Sequence, residues 1–324
     1  MRNRIICTLL VLFSCFAVGE LAGQPVAASE LTLTGSITMP FTIGPDTVAV
    51  WSGGSLVFVQ GRFSSGPIFR IFDRRGSEIS QFRFSIPGAL LINIYDNSIA
   101  RGSDGSLAIA GTAYSDNSRG TMFVAWVSPD GQQQTIIRTA PFFPAAITVA
   151  MDGTIWVAGH ETKQEKEQRD YGRPLIRRYD RNGRLLGSFI PWSTLGTEPH
   201  ILPFERSVLL PLHEGVLWYV PRSLTYFEFS SDGSIIKQFK SAPHPESDLT
   251  FAAVCGDDSV FVTTQIRSVG QENRWGIFTL DRKRREWSLA PRNEKWGRLL
   301  GCDGTRLATT TDYKTIAWLE PAGK

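Results

Sequence analysis

Four histidines stand in this chain: His160 ends an apolar run of one repeat unit, His200 and His244 lie in the connections that enter the next two units, and His213 stands apart from these three. Imidazole is the commonest transition-metal ligand, and three histidines around an open position suit a catalytic zinc. Five carboxylates, Asp46, Asp96, Glu205, Asp248 and Glu294, each precede an apolar run at similar points. A ring of such oxygens would hold a hard cation such as calcium. Zinc or calcium is therefore the alternative expectation, and otherwise no cofactor is expected. His160-Glu161 and His213-Glu214 both lack the second histidine of a His-Glu-x-x-His zinc helix. The chain also has no Gly-x-Ser-x-Gly nucleophile turn and no phosphate-cradling glycine loop. Trp192 and Trp296 lie in connections where an indole could meet a ligand.

The first 28 residues read as a targeting segment: basic MRNR, the apolar run IICTLLVLFSCFAVG, and the small-residue exit VAA at 26–28. Export to a periplasmic or extracellular space follows, with residues 29–324 as one domain and no transmembrane segment in the mature chain. Cys255 and Cys302 remain after removal of that segment, an even number in an oxidising compartment, and are a candidate disulfide. Net charge is +3 with no basic stripe, which excludes nucleic acid as a partner.

These residues need elements to position them, and the repeat supplies them. A tight turn ahead of an apolar strand occurs six times, as SGGSLVFV (52–59), SDGSLAIA (103–110), MDGTIWVA (151–158), HEGVLWYV (213–220), GDDSVFVT (256–263) and CDGTRLAT (302–309). A wider turn recurs as DRRG, SPDG, DRNG, SSDG, DRKR and EPAG, each after an aromatic and β-branched run. A proline follows the next strand at Pro87, Pro141, Pro191, Pro243 and Pro291. The sixth would fall beyond the C-terminus, and Pro40 stands in its place behind LTLTGSITM.

The pattern predicts an all-β chain: a six-bladed β-propeller whose N-terminal strand completes the last blade. Blades are expected at 46–84, 97–139, 145–190, 205–240, 249–290 and 296–319, the last completed by 31–39.

The third unit, AAITVAMDGTIWVAGHE followed by PLIRRYDRNGRLLGSF, resembles the NHL-repeat propellers, with further likeness in the second and fourth units. It departs from them where Gly159 and His160 replace the usual Asp, and in lacking the short Asn-containing linker. Signatures of the WD and kelch types are missing. The resemblance implies a propeller fold, and similar propellers include lyases and lactonases with a metal near the axis.

In such a fold His160, His200 and His244 share one face with the carboxylates, while His213 lies opposite. The same face carries the charged loop HETKQEKEQRDYGR (160–173) and QIRSVGQENRW (265–275). Rigid scaffolds that present long loops are binding surfaces. The expected role is an exported, monomeric, non-enzymatic binding module for a protein or small-molecule ligand, using the long-loop face. The alternative is a metal-dependent hydrolase or lyase centred on the three histidines.

Overall fold

A computed structural model describes residues 30–321, apart from 44–46, 117–119, 162–171, 196–206, 243–249, 257, 267–273 and 291–295. Among the described residues the chain is β-strand, with 3-10 turns at Trp192–Leu195 and Pro221–Ser223 and no α-helix. No helix of the described residues is long and apolar enough to cross a membrane.

Local chemistry makes these hairpins. In turn after turn an aspartate carboxylate accepts the backbone N–H two residues on: Asp130 from Gln132 at 3.1 Å, Asp180 from Asn182 at 3.0 Å and Asp232 from Ser234 at 3.0 Å. Asp281 and Asp312 do the same with Lys283 and Lys314. Such self-bonding favours a turn over continued strand. These contacts hold all five carboxyls below the ordinary aspartate range: a side-chain hydroxyl acts most on Asp130 and Asp232, and backbone N–H groups on the others.

The strands assemble into antiparallel meanders. Three are four-stranded: Phe142–Val149, Ile155–Glu161, Pro174–Tyr179 and Leu185–Pro191; Val208–Leu212, Gly215–Val220, Thr225–Ser230 and Ile235–Lys240; Thr250–Val254, Val260–Ile266, Arg274–Asp281 and Glu286–Leu289. Another sheet, the second in chain order, orders Leu91–Arg101, Leu107–Tyr114, Gly120–Val127 and Gln134–Arg138, and adds Phe63–Ser64 beside Leu91–Arg101. An eight-stranded sheet joins Leu299–Asp303, Arg306–Thr310, Thr315–Pro321 and Leu31–Thr38 to Ala49–Ser52, Ser55–Gln60, Ile68–Phe72 and Glu78–Arg83. Its halves meet at one parallel pair, Trp51 with Gly301. Leu31–Thr38 pairs antiparallel with Thr315–Pro321, setting Leu33 opposite Leu319 and Ile37 opposite Ile316.

The first strands of the meanders lie against one another in chain order: Ala49–Ser52, Leu91–Arg101, Phe142–Val149, Val208–Leu212, Thr250–Val254 and Leu299–Asp303, the last returning to Ala49–Ser52. The sheets then pack face to face, a propeller-like arrangement. Phe69, Phe82 and Phe84 meet Ile92, Ile94 and Phe123 across one seam, and Trp156 and Phe189 meet Trp218, Phe227 and Phe229 across another. Burial on both faces explains the near-continuous apolar runs. A fully buried ring such as Trp218 contributes about 3 kcal/mol.

Among the described residues several boundaries differ from the sequence expectation, the third unit beginning at Phe142 rather than 145. Asp96 lies inside Leu91–Arg101 rather than ahead of a strand, because the register shifts between Ile94 and Ile99 and Asn97 takes a φ of 53°. A bulge carries the strand through IYDNS. Pro191 is the last residue of its strand rather than a residue beyond it. Phe63–Ser64, inside an expected loop, pairs with Ile92 and Asn93 of the next sheet.

Candidate functional site at the channel mouth

The first strands enclose a cavity of about 70 Å³, to which Val50, Asn97, Ile147, Leu209, Ala252 and Leu300 each contribute from a different strand. Asp96 and Arg298 are the charged residues of its lining. Arg298 is 2 % exposed; its Nη2 donates to the Thr47 carbonyl at 2.5 Å and its guanidinium lies 4.7 Å from the Phe251 ring centre. A cation so deeply buried needs such partners, and an aromatic face supplies part of the solvation that water no longer gives.

Asp96 faces the loop of the preceding sheet, where Arg62 donates to its Oδ1 at 3.4 Å. The bulge that aims Asp96 is closed locally: the Ser98 hydroxyl donates to the Tyr95 carbonyl at 2.5 Å. Tyr95 then reaches the third meander. Its hydroxyl lies 2.9 Å from Thr112 Oγ1, its ring is 5.4 Å from that of Phe143, and Phe143 is 5.3 Å from the His160 imidazole. Burial raises the Tyr95 phenol above its ordinary value, against the lowering effect of the Thr112 contact. His160 sits opposite Phe143 in strand register. Next to it, Glu161 accepts from Arg173 and, at 3.1 Å, from Arg177, whose guanidinium lies 4.2 Å from Phe142.

Gly159 makes this approach possible: a Cβ there would stand 2.0 Å from the Phe143 carbonyl oxygen. Gly111 stands in the same relation to Asn93, at 2.2 Å. Glycine at 159 thus has a steric cause, since any side chain would push the first strand away.

Of the sequence-predicted site residues, Asp96 and His160 lie on one side of the sheets, linked through Tyr95 and Phe143. His200, His244, Asp46, Glu205, Asp248 and Glu294 lie outside the described residues, as do most of the charged loops. Among the described residues no group of three or more His, Cys, Asp or Glu side chains is gathered as a metal site. Trp192 and Trp296, in connections where an indole could meet a ligand, are 5 % and 8 % exposed and belong to apolar clusters. A large ring gains more by burial in such a cluster than by exposure. Arg62, Tyr95, Phe143 and Arg298 escaped the sequence reading. An arginine ahead of the apolar pair Leu299-Leu300 was the available signal for Arg298.

The opposite face is tied across its seams. Arg101 donates to the Ser52 and Gly53 carbonyls at 3.3 and 3.1 Å, Arg74 pairs with Asp303 at 2.6 Å, and the His213 N–H donates to Asp258 at 3.1 Å. Cys255 and Cys302 are bonded, with Cα atoms 5.2 Å apart, beside a Gly256 N–H donated to the Gly304 carbonyl at 2.7 Å. Deeper in the seam of the fourth and fifth meanders, Glu228 accepts from Tyr226 at 2.7 Å and from Arg282 Nε at 2.8 Å. Burial acting downward on Arg282 is outweighed by Glu228, which raises its pKa.

No protein-family profile matches the chain. No curated protein matches it in sequence. Among solved structures it is similar to a catalytically inactive virginiamycin B lyase from Staphylococcus aureus with quinupristin: 13% identity, TM-score 0.47, 90% of this chain and 99% of that one. A streptogramin B lyase (11%, 0.48, 91% and 99%) and the Pan2 WD40 domain of Neurospora crassa (12%, 0.47, 92% and 98%) are similar to a like degree. At TM-scores below one half these likenesses carry nothing about activity.

Proposed function

We propose that the chain is a closed six-bladed propeller acting as an exported binding module, and that it recognises its partner on the face of the channel mouth. Ring closure is supported by the pairing of Leu31–Thr38 with Thr315–Pro321 and by the return contact of Leu299–Asp303 with Ala49–Ser52. On this reading the eight-stranded sheet is two blades joined at the Trp51–Gly301 pair, and Phe63–Ser64 is a loop that clips one blade to the next. Export is supported by the bond between Cys255 and Cys302, since such bonds persist in oxidising compartments. Kinship with the NHL-repeat propellers remains part of the proposal.

One observation carries the binding role. Arg62, Tyr95, Asp96, Phe143 and His160 form a half-exposed mosaic of aromatic and charged groups, drawn from three successive sheets around the channel. Tyrosine, arginine and other aromatics of this kind dominate recognition energetics, because they bury large area while keeping polar anchors. The opposite face spends its polar groups on its own seams.

The test is affinity capture from the compartment to which the protein is exported, followed by a binding isotherm with the captured species. A Tyr95→Ala, Arg62→Glu variant is expected to lose capture, while Arg74→Glu on the other face keeps it. Equal capture by all three proteins, or loss confined to Arg74→Glu, would overturn the assignment of the face.

A further inference from the structure

We infer that the seam between the first two meanders holds a second site, which takes a small organic anion with an apolar body. It shares no lining residue with the channel-mouth cavity, and the inference stands whether or not that mouth binds a partner. A cavity of about 250 Å³ opens where the connection between the two sheets crosses the outer part of the second. Ile86 and Ala89 of that connection form one wall, and Ala113, Phe123 and Ile136 form the floor. Phe123 and Ala113 are buried members of the seam core, and Ile86, Ala89 and Ile136 pack against it, so the walls are fixed by packing.

At the rim stands Arg138. It pairs in register with Phe123, and strand alternation puts it on the same side as Ile136, above the floor. It is exposed, and none of the eleven residues lining the cavity is acidic. Among the described residues no carboxylate pairs with Arg138. An apolar recess with an uncompensated cation at its edge complements a carboxylate on a hydrocarbon chain or ring. Thr121 and Ser115, also at the edge, offer hydroxyls to the same head group. The volume is a little below that of drug-sized pockets, which fits a body of roughly ten non-hydrogen atoms. Affinity should grow about three- to fourfold per methylene until the recess is filled.

Octanoate is the probe, titrated calorimetrically into the purified protein, with octanamide as its neutral isostere and sulfate as a bare anion. Octanoate is expected to bind one per chain, about tenfold more tightly than octanamide, the margin of a charge-assisted contact at a partly exposed site. Arg138→Gln should weaken octanoate about tenfold and erase its advantage over octanamide. Ala89→Leu should block both by filling the recess. Because Arg138 is exposed, its variant keeps the fold, which the circular dichroism spectrum checks. Equal binding of octanoate and octanamide to the wild type overturns the inference, as does unchanged octanoate binding by Arg138→Gln. Displacement of octanoate by equimolar sulfate also overturns it, because the site would then read charge alone.

Discussion

The ring of Phe189 closes over Gly233, so that a carbon added at Gly233 would stand 2.1 Å from its Cε1. The same relation recurs from seam to seam. Gly131 meets Phe82 at 2.4 Å, and Gly183 meets Ile137 at 3.0 Å. Gly76 meets Met39 at 3.7 Å and Ile37 at 4.0 Å, beside the N-terminal strand. At Gly233, Gly131 and Gly183 a turn glycine of one sheet receives a residue of the last strand of the preceding sheet, and at Gly76 the contact runs between the two ends of the eight-stranded sheet. The fifth meander has no glycine in that turn; Arg285 takes the positive φ, 64°, and its guanidinium lies 5.6 Å from Phe239.

Two substitutions separate steric from conformational demand. Gly233→Ala meets both the Phe189 ring and a φ of 95°, and should destabilise by about 2–4 kcal/mol. Gly153→Ala has a similar φ, 78°, but nothing within 4 Å of the added carbon, and should cost about 1 kcal/mol. Urea unfolding of the two variants measures the difference. Equal losses would mean that the seam contact contributes nothing.

The N-terminal strand should be indispensable. Deleting residues 31–38 uncovers the backbone edge of Thr315–Pro321 and one flank of the core around Ile316 and Leu319. An open edge of that length invites pairing between chains. The truncated protein is expected to elute as oligomers in size-exclusion chromatography and to lose most of its marginal stability, which for a domain is about 5–15 kcal/mol. A monomeric product with an unchanged unfolding midpoint would refute the role given to this strand.

Much of this was legible because the repeat writes the same physics again and again: Asp and Gly at turns, and β-branched or aromatic residues between them. Period and spacing report strand order, and the offset of LTLTGSITM against the C-terminal turn points to its pairing partner. Side-chain convergence is a different matter. Tyr95, Phe143 and His160 come together through a bulge in one strand and a missing Cβ at Gly159 in another, neither of which leaves a periodic trace. Trp192 and Trp296, placed by sequence where an indole could meet a ligand, are buried, since a connection can carry its largest residue inward.

The bond between Cys255 and Cys302 spans a sequence separation of 47 and joins neighbouring sheets. A cross-link of that span removes unfolded-chain entropy equivalent to about 4 kcal/mol. The Cys255→Ala, Cys302→Ala double variant should therefore unfold at a clearly lower urea midpoint than the oxidised wild type. Wild type held in reductant should coincide with the variant. If oxidised and reduced wild type unfold at one midpoint, the link contributes no stability.

Tyr219 provides an alkaline counterpart. Burial pushes its phenol up to about 12, with contacts to Ser241 and Trp287 opposing the rise. In the unfolded chain the phenol ionises near its ordinary value, so between about pH 10 and 12 the unfolded state loses a proton that the folded state keeps. Stability from this group is fully present below the unfolded value and falls by about 1.4 kcal/mol per pH unit across that window. Tyr226, raised by burial and by its bond to Glu228, adds in the same direction. Tyr219→Phe should flatten the alkaline limb of a stability profile by one proton while lowering stability at neutral pH only modestly. Denaturant unfolding at half-unit pH steps from 9 to 12 reads this directly, and parallel limbs for the two proteins would show that the Tyr219 phenol ionises alike in the folded and unfolded chain.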